Sequence, residues 1–329
     1  MSAIPYSVLD LVPVPEGSHP AESFRRSLDL AQHAERWGYQ RYWLAEHHNM
    51  PGIASAATAV LIGHLAGGTK TLRLGAGGIM LPNHAPLVIA EQFGTLASLY
   101  PDRIDLGLGR APGTDQRTMQ ALRRQRSGDV DEFPADVREL MSYFGDETGA
   151  VQAVPGQGLH LPIWLLGSSL YSAQLAASMG LPFGFASHFA PGLLLQALEI
   201  YRAQYRPSVS WPKPYAVVCI NMIAADSERE ARFQFTTVQQ QFLRLYRGNA
   251  GKLPTPVAEL GEEWSPRELM AMEQTLARSL VGDRDQVRHG LKALLAETGA
   301  DELMFNGPIV DQGARLRSFE IAAELMQSL

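Results

Sequence analysis

Residues 71–110 read TLRLGAGGIM LPNHAPLVIA EQFGTLASLY PDRIDLGLGR, and this stretch decides the fold. It opens on a short apolar run at 72–76 and closes on a second at 103–108, both strand-like. Between them, 86–99 carries apolar residues at helical spacing, with Pro86 suited to a first helical turn. Strand, helix and next strand thus occupy about 32 residues, the size of a βα unit. The spacing extends backwards. Runs at 6–11 (YSVLDL) and 39–45 (YQRYWLA) put strand starts near 6, 39, 71 and 103. Phe24, Leu28, Ala31 and Ala34 mark a helix over 20–37, with Pro20 in its first turn and Gly38 at its end. A largely apolar helix is expected over 55–66, with Ser55 as its N-cap.

The alternation continues forwards. Strands are predicted at 162–166, 181–186, 216–223 and 302–305, and helices near 170–179, 191–205, 227–246, 284–297 and 312–327. Eight strand–helix pairs predict an α/β (β/α)8 TIM barrel, with 1–329 as a single domain. An open doubly wound sheet has fewer units and a phosphate loop after its first strand. Two insertions break the period. One follows strand 4, at 111–160, and holds a helix with Phe133, Val137, Leu140, Met141 and Phe144 on one face. The other, at 247–282, lies in the strand 7 to strand 8 connection. Long insertions in a barrel usually extend the active-site rim, and the second is a candidate lid.

Composition narrows the function. With 46% hydrophobic and 19% charged residues, the 329-residue chain is globular rather than disordered. No run of about 18 apolar residues predicts a membrane helix. Nor does the start resemble a secretory signal, so a cytoplasmic location is expected. The single cysteine, Cys219, excludes internal disulfides and multi-cysteine metal sites. A net charge of −6 argues against a nucleic-acid binder.

Catalytic groups of a barrel gather at the C-terminal ends of its strands. Those ends carry Glu46-His47-His48-Asn49 after strand 2, Gly77-Gly78 and then His84 after strand 3, and Gly109-Arg110 after strand 4. Gly167-Ser168-Ser169 follows strand 5 and opens a helix that includes Ser172. Ser187-His188 follows strand 6, and Asn306 follows strand 8. Hydroxyls and free N–H groups at a helix N-terminus suit an anion, although Ser is also an ordinary N-cap. Arg110 at the same rim is either a second phosphate ligand or half of an ion pair with Asp102 or Asp115. Neutral histidine relays protons near pH 7, which makes His47 or His48 a candidate, with His84 and His188 weaker ones. Glu46, His47 and His48 have the residue types of an iron site, but adjacent positions on an extended chain face apart, so no metal is expected. Residues 107–113 (GLGRAPG) miss the dinucleotide fingerprint, 67–70 lacks P-loop spacing, and Ser168 lacks a nucleophile elbow.

In combination, 43–49 (WLAEHHN), 74–82 (LGAGGIMLP), 90–92 (AEQ), 102–110 (DRIDLGLGR), Gly167-Ser168-Ser169 and 299–304 (GADELM) resemble the bacterial luciferase-like flavin monooxygenases, over essentially the whole chain. The resemblance implies a TIM barrel binding FMN at its C-terminal mouth, with reduced flavin as cosubstrate from a separate flavin reductase. O2 adds at flavin C4a in that family, and the resulting peroxide oxidises a small organic substrate. His47 matches the family's functional histidine. Gly77 and Gly78 match a non-proline cis peptide under the flavin ring. Arg110, Gly167, Ser168, Ser169 and Ser172 match the phosphate region, joined by Arg126, and His48 also borders the cofactor. The family implies a homodimer built through early helices. The luciferases proper have a reactive cysteine just before the arginine; here that residue is Gly109, so a long-chain aldehyde and light emission are not expected. Two alternatives stay open: a deazaflavin (F420)-dependent dehydrogenase on the same fold, and a non-catalytic flavin-binding or storage protein.

Overall fold

A computed structural model of the chain describes residues 4–111, 116–122, 132–147 and 149–329. Its strands are β1 (Tyr6–Asp10), β2 (Arg41–Leu44), β3 (Arg73–Met80), β4 (Ile104–Gly109), β5 (Ile163–Gly167), β6 (Phe183–Ala186), β7 (Ala216–Ala224), β8 (Leu280–Gly282) and β9 (Glu302–Asn306). Parallel pairing runs from β6 through β5, β4, β3, β2, β1 and β9 to β7, and β6 pairs with β7 to close the ring. Eight strands therefore form the expected TIM barrel. The short β8 is additional: it pairs only with β7, at the level of Met222–Ala224. It lies within the second insertion, where the proline- and glutamate-rich composition hid a strand of three residues.

Helices α1 (Pro20–Arg36), α2 (Thr58–Gly67), α3 (Pro86–Leu99), α4 (Gln116–Leu122), α5 (Phe133–Phe144), α6 (Leu170–Met179), α7 (Leu194–Gln204), α8 (Glu228–Tyr246), α9 (Pro266–Thr275), α10 (Arg284–Thr298) and α11 (Gln312–Gln327) complete the chain. Glycine ends helices where the sequence placed it. Gly38, Gly180 and Gly299 all take positive φ, at 79°, 65° and 54°. Ser55 is not the cap of α2, which starts three residues later. Its hydroxyl instead donates to the carbonyls of Leu11 (3.1 Å) and Ala45 (2.5 Å) and ties two strand ends together. Helix α5 packs against α3, burying Phe133, Val137, Leu140 and Phe144.

The barrel interior explains the glycines of the opening stretch. Trp43 from β2 and Trp164 from β5 meet edge to face at 5.2 Å inside the barrel. A Cβ on Gly75 would lie 2.7 Å from Trp43 Nε1, and one on Gly77 would lie 3.0 Å from Trp43 Cβ. Gly75 and Gly77 of β3 therefore make room for Trp43, whereas a Cβ on Gly78 would meet the Gly107 carbonyl and Leu166. Below the indoles, at the N-terminal end of the strands, four charges compensate one another. Arg41 reaches Asp105 at 2.7 Å and Glu302 at 3.1 Å, and Arg73 reaches Asp105 at 2.6 Å. Trp43 Nε1 also donates to Asp105, and Tyr215 to Glu302. This plug closes the lower end, so chemistry is left to the other.

The second insertion is tied to the rim. Leu253 N–H donates to Val14 O (2.8 Å), and Glu16 N–H donates to Leu253 O (2.9 Å). Residues near 253 thus run beside the chain that leaves β1, on the side of the barrel where the strand ends carry their polar groups.

Candidate active site at the barrel mouth

The first group forms where β2 and β3 end. β3 carries a register shift between Gly77 and Ile79, so Gly78 stands out of the pairing with β4. The Gly77–Gly78 peptide is cis. The Gly78 carbonyl accepts from Glu46 N–H at 3.1 Å, and Met80 N–H donates to Glu46 Oε2 at 2.9 Å. The irregular strand thereby clamps Glu46, which is 1% exposed. His48 Nε2 lies 2.7 Å and His84 Nε2 2.9 Å from Glu46 Oε1, and Asn83 Nδ2 is 3.4 Å from the same oxygen. Burial pushes the Glu46 carboxyl up, but the bonds from His84, His48 and Met80 outweigh it and hold the group below its ordinary value.

The ligand-type atoms of Glu46, His48 and His84 lie within 4.8 Å of one another. Sequence reasoning considered Glu46 with His47 and His48 and found them unable to converge. It is His84, from the next strand end, that completes the cluster. Both carboxylate oxygens of Glu46 thus face an N–H donor or a histidine nitrogen.

His47 stands apart from that cluster. Among the described residues its buried Nδ1 has no hydrogen-bond partner, and neither has Nδ1 of His188 after β6. Burial lowers the pKa of His47 against the opposing pull of the Ala45 carbonyl and Glu46. Burial, reinforced by His47, pulls His188 down to about 3. Both rings are therefore neutral at pH 7. β2 and β6 are four places apart in a ring of eight strands, so these histidines approach the mouth from opposite sides. Beside His188, Asn221 donates to its carbonyl (2.6 Å) and accepts from Asn306 (2.9 Å). That link joins the ends of β6, β7 and β9. Sequence reading ranked His188 low and passed over Asn221, because β7 is a continuous apolar run in which one asparagine gives no periodic signal.

The second group forms where β4 and β5 end. The Arg110 guanidinium lies over the ring of Tyr171, 4.2 Å from its centre. Tyr171 is in the first turn of α6. Ser169, the N-cap of α6, makes no side-chain capping bond, and its hydroxyl lies 3.4 Å from Ser172 Oγ. A Cβ on Gly167 would come within 2.2 Å of Ser172 Oγ, so glycine there is what admits that hydroxyl. Arg110 pairs neither with Asp102 nor with any other described acid; Asp115 lies outside the described residues, and so does Arg126. The start of α6, with its two neighbouring hydroxyls, and an arginine stacked on its first turn thus lie side by side at the rim, donor types that suit an anion. Cys219, inside the barrel on β7, has its thiol pushed up by burial and is not a nucleophile.

Comparison with known proteins agrees with this architecture. The family model described as luciferase-like monooxygenase matches residues 4–302. A luciferase-like monooxygenase of Escherichia coli K12 is 62% identical over 328 residues, covering 99% of this chain and 98% of that protein. The N-acetyl-S-alkylcysteine monooxygenase of Bacillus subtilis 168 is 30% identical over 330 residues, covering 97% of each chain. The crystal structure of apo-MsnO8 superposes with a TM-score of 0.87 at 34% identity, covering 98% of each chain.

Proposed function

The chain belongs to the luciferase-like monooxygenase family, and we propose that it is an FMN-dependent monooxygenase that uses reduced flavin and O2 to oxidise a small organic substrate. One observation carries the choice of a phosphate-bearing flavin. Arg110 lies against the first turn of α6, on the mouth that also holds His47, and Ser168, Ser169 and Ser172 open the same helix. These residues fit the phosphate end of FMN, and Gly77 and Gly78 border the place for its ring. When bound, reduced FMN supplies the activation of O2 at its C4a position. The chain's own part is positional and electrostatic. Arg110 and the α6 N-terminus fix the anionic end. His47, neutral and half-buried, takes or gives a proton at a reacting oxygen. Trp43 and Trp164 form a dry floor that keeps water from below. A thioether is a reasonable first substrate to try, because the Bacillus relative is named for an N-acetyl-S-alkylcysteine. A separate flavin reductase is part of the proposal.

The test is anaerobic mixing with photoreduced FMN, then O2, followed by stopped-flow absorbance. A persistent spectrum distinct from reduced and oxidised flavin is the expected result. Reoxidation at the rate of free flavin, with reduced FMN shown to bind, supports flavin storage instead. Binding of reduced F420 but not of FMN supports a dehydrogenase.

A further inference from the structure

Two arginines stack on aromatic rings at the same distance, and they differ at their edges. Arg247 lies 4.2 Å from the centre of the Trp264 ring, and its edge is taken by Glu268, with Nε at 2.5 Å and Nη2 at 2.9 Å from the carboxylate. Arg110 lies 4.2 Å from the centre of the Tyr171 ring, yet among the described residues its edge has no hydrogen bond or ion pair. The arginines of the barrel floor, Arg41 and Arg73, are both bound to acids. A guanidinium whose face is occupied and whose edge is open presents parallel N–H groups in one plane, the geometry of bidentate recognition of an oxyanion.

We propose that Tyr171 is a positioning residue for phosphate recognition: its ring holds the Arg110 guanidinium so that the edge N–H groups face an anion at the N-terminus of α6. The proposal rests on the flavin-phosphate reading above and assigns a role to a residue outside the serine and arginine set. Two features place Tyr171 for this work. It is the second residue of α6, so it is fixed relative to the first N–H groups of that helix. Its partner comes from the end of β4, so the stacking contact joins two neighbouring βα units at the point where the anion sits. Without the ring, Arg110 is a flexible chain at the rim, and the anion must order it on binding.

The experiment is an anaerobic titration with photoreduced FMN and, separately, photoreduced riboflavin, which lacks the phosphate. Tyr171→Phe keeps the ring and is expected to bind FMN within about twofold of the unaltered protein. Tyr171→Leu is expected to bind FMN about tenfold more weakly, with riboflavin affinity unchanged. Arg110→Gln is expected to show the same selective loss, and a melting curve for each variant checks the fold. Equal weakening of FMN and riboflavin in Tyr171→Leu, or no weakening of either, overturns the positioning role while leaving the phosphate site in place. An unaltered protein that binds FMN no tighter than riboflavin overturns the phosphate reading, and the proposal with it.

Discussion

His84 Nε2 lies 2.9 Å from Glu46 Oε1, although 38 positions separate the two residues in the chain. This contact converts the ends of β2 and β3 into one unit. With Met80 N–H and His48 it leaves a buried carboxylate fully engaged beside His47. The cluster is therefore a support for the mouth, and its removal should be felt both in stability and in how His47 is held.

Glu46→Gln replaces an acceptor-only carboxylate with an amide that cannot satisfy all of these donors. A loss of about 2 kcal/mol in unfolding free energy is expected at pH 7, read from urea denaturation. The pH dependence has a definite sign. Glu46 is held below its ordinary value when folded, so its contribution is complete above the unfolded carboxylate value of about 4.3 and fades as pH falls through the folded one. The gap between the two proteins should therefore narrow in acid. A gap that widens below pH 4 contradicts the assignment.

Asp105→Asn strikes the barrel floor. Arg41 and Arg73 both lean on this fully buried carboxylate, and only Arg41 keeps a second acid, Glu302. Stripping the charge leaves the half-buried Arg73 without an acid and the buried Arg41 with Glu302 alone, at a cost of about 3 kcal/mol. The melting temperature should fall by several degrees more than for Glu46→Gln. A variant that melts with the unaltered protein shows that the floor network contributes no net stability.

His47→Asn should leave reduced FMN binding unchanged. Oxidation of substrate, or the lifetime of the oxygenated state, should fall by about 10²-fold or more. Because burial lowers its pKa, His47 is neutral throughout the neutral range and takes a proton only below the ordinary imidazole value of about 6.5. The unaltered protein should then show a rate that is level from pH 7 upward and declines in acid. The variant should show no such limb. An acid limb that survives the substitution assigns the titration to another group.

Gly167→Ala tests the cradle from a different side. The new Cβ would sit 2.2 Å from Ser172 Oγ and 2.5 Å from its Cβ, so Ser172 must move. Reduced FMN should bind about tenfold more weakly, with riboflavin unaffected, if that hydroxyl serves the phosphate. Unchanged FMN affinity removes Ser172 from the site.

Much of this was legible in the chain itself. The βα period is local: each strand and helix follows from side-chain spacing within about 32 residues, and eight repetitions leave few ways to close a sheet. Parallel strands buried on both faces read as apolar runs, so the polar residues at their ends stood out, and position alone offered His47 or His48, Arg110 and the serines at the start of α6 as candidates, the choice of His47 coming from the resemblance. The sequence also carried the family resemblance. Contacts between units were not legible, because no periodicity links residues of different strands. Only closure of the barrel brings His84 onto Glu46, sets His188 across from His47, and lays Arg110 on Tyr171. Nor could spacing show that Gly75 and Gly77 leave room for the side chain of Trp43 from the neighbouring strand. Local spacing dictates which elements form and which face they bury. Which side chains share a low-dielectric pocket, and hence which are charged, neutral or free to bind, depends on distances that exist only once the ring is closed.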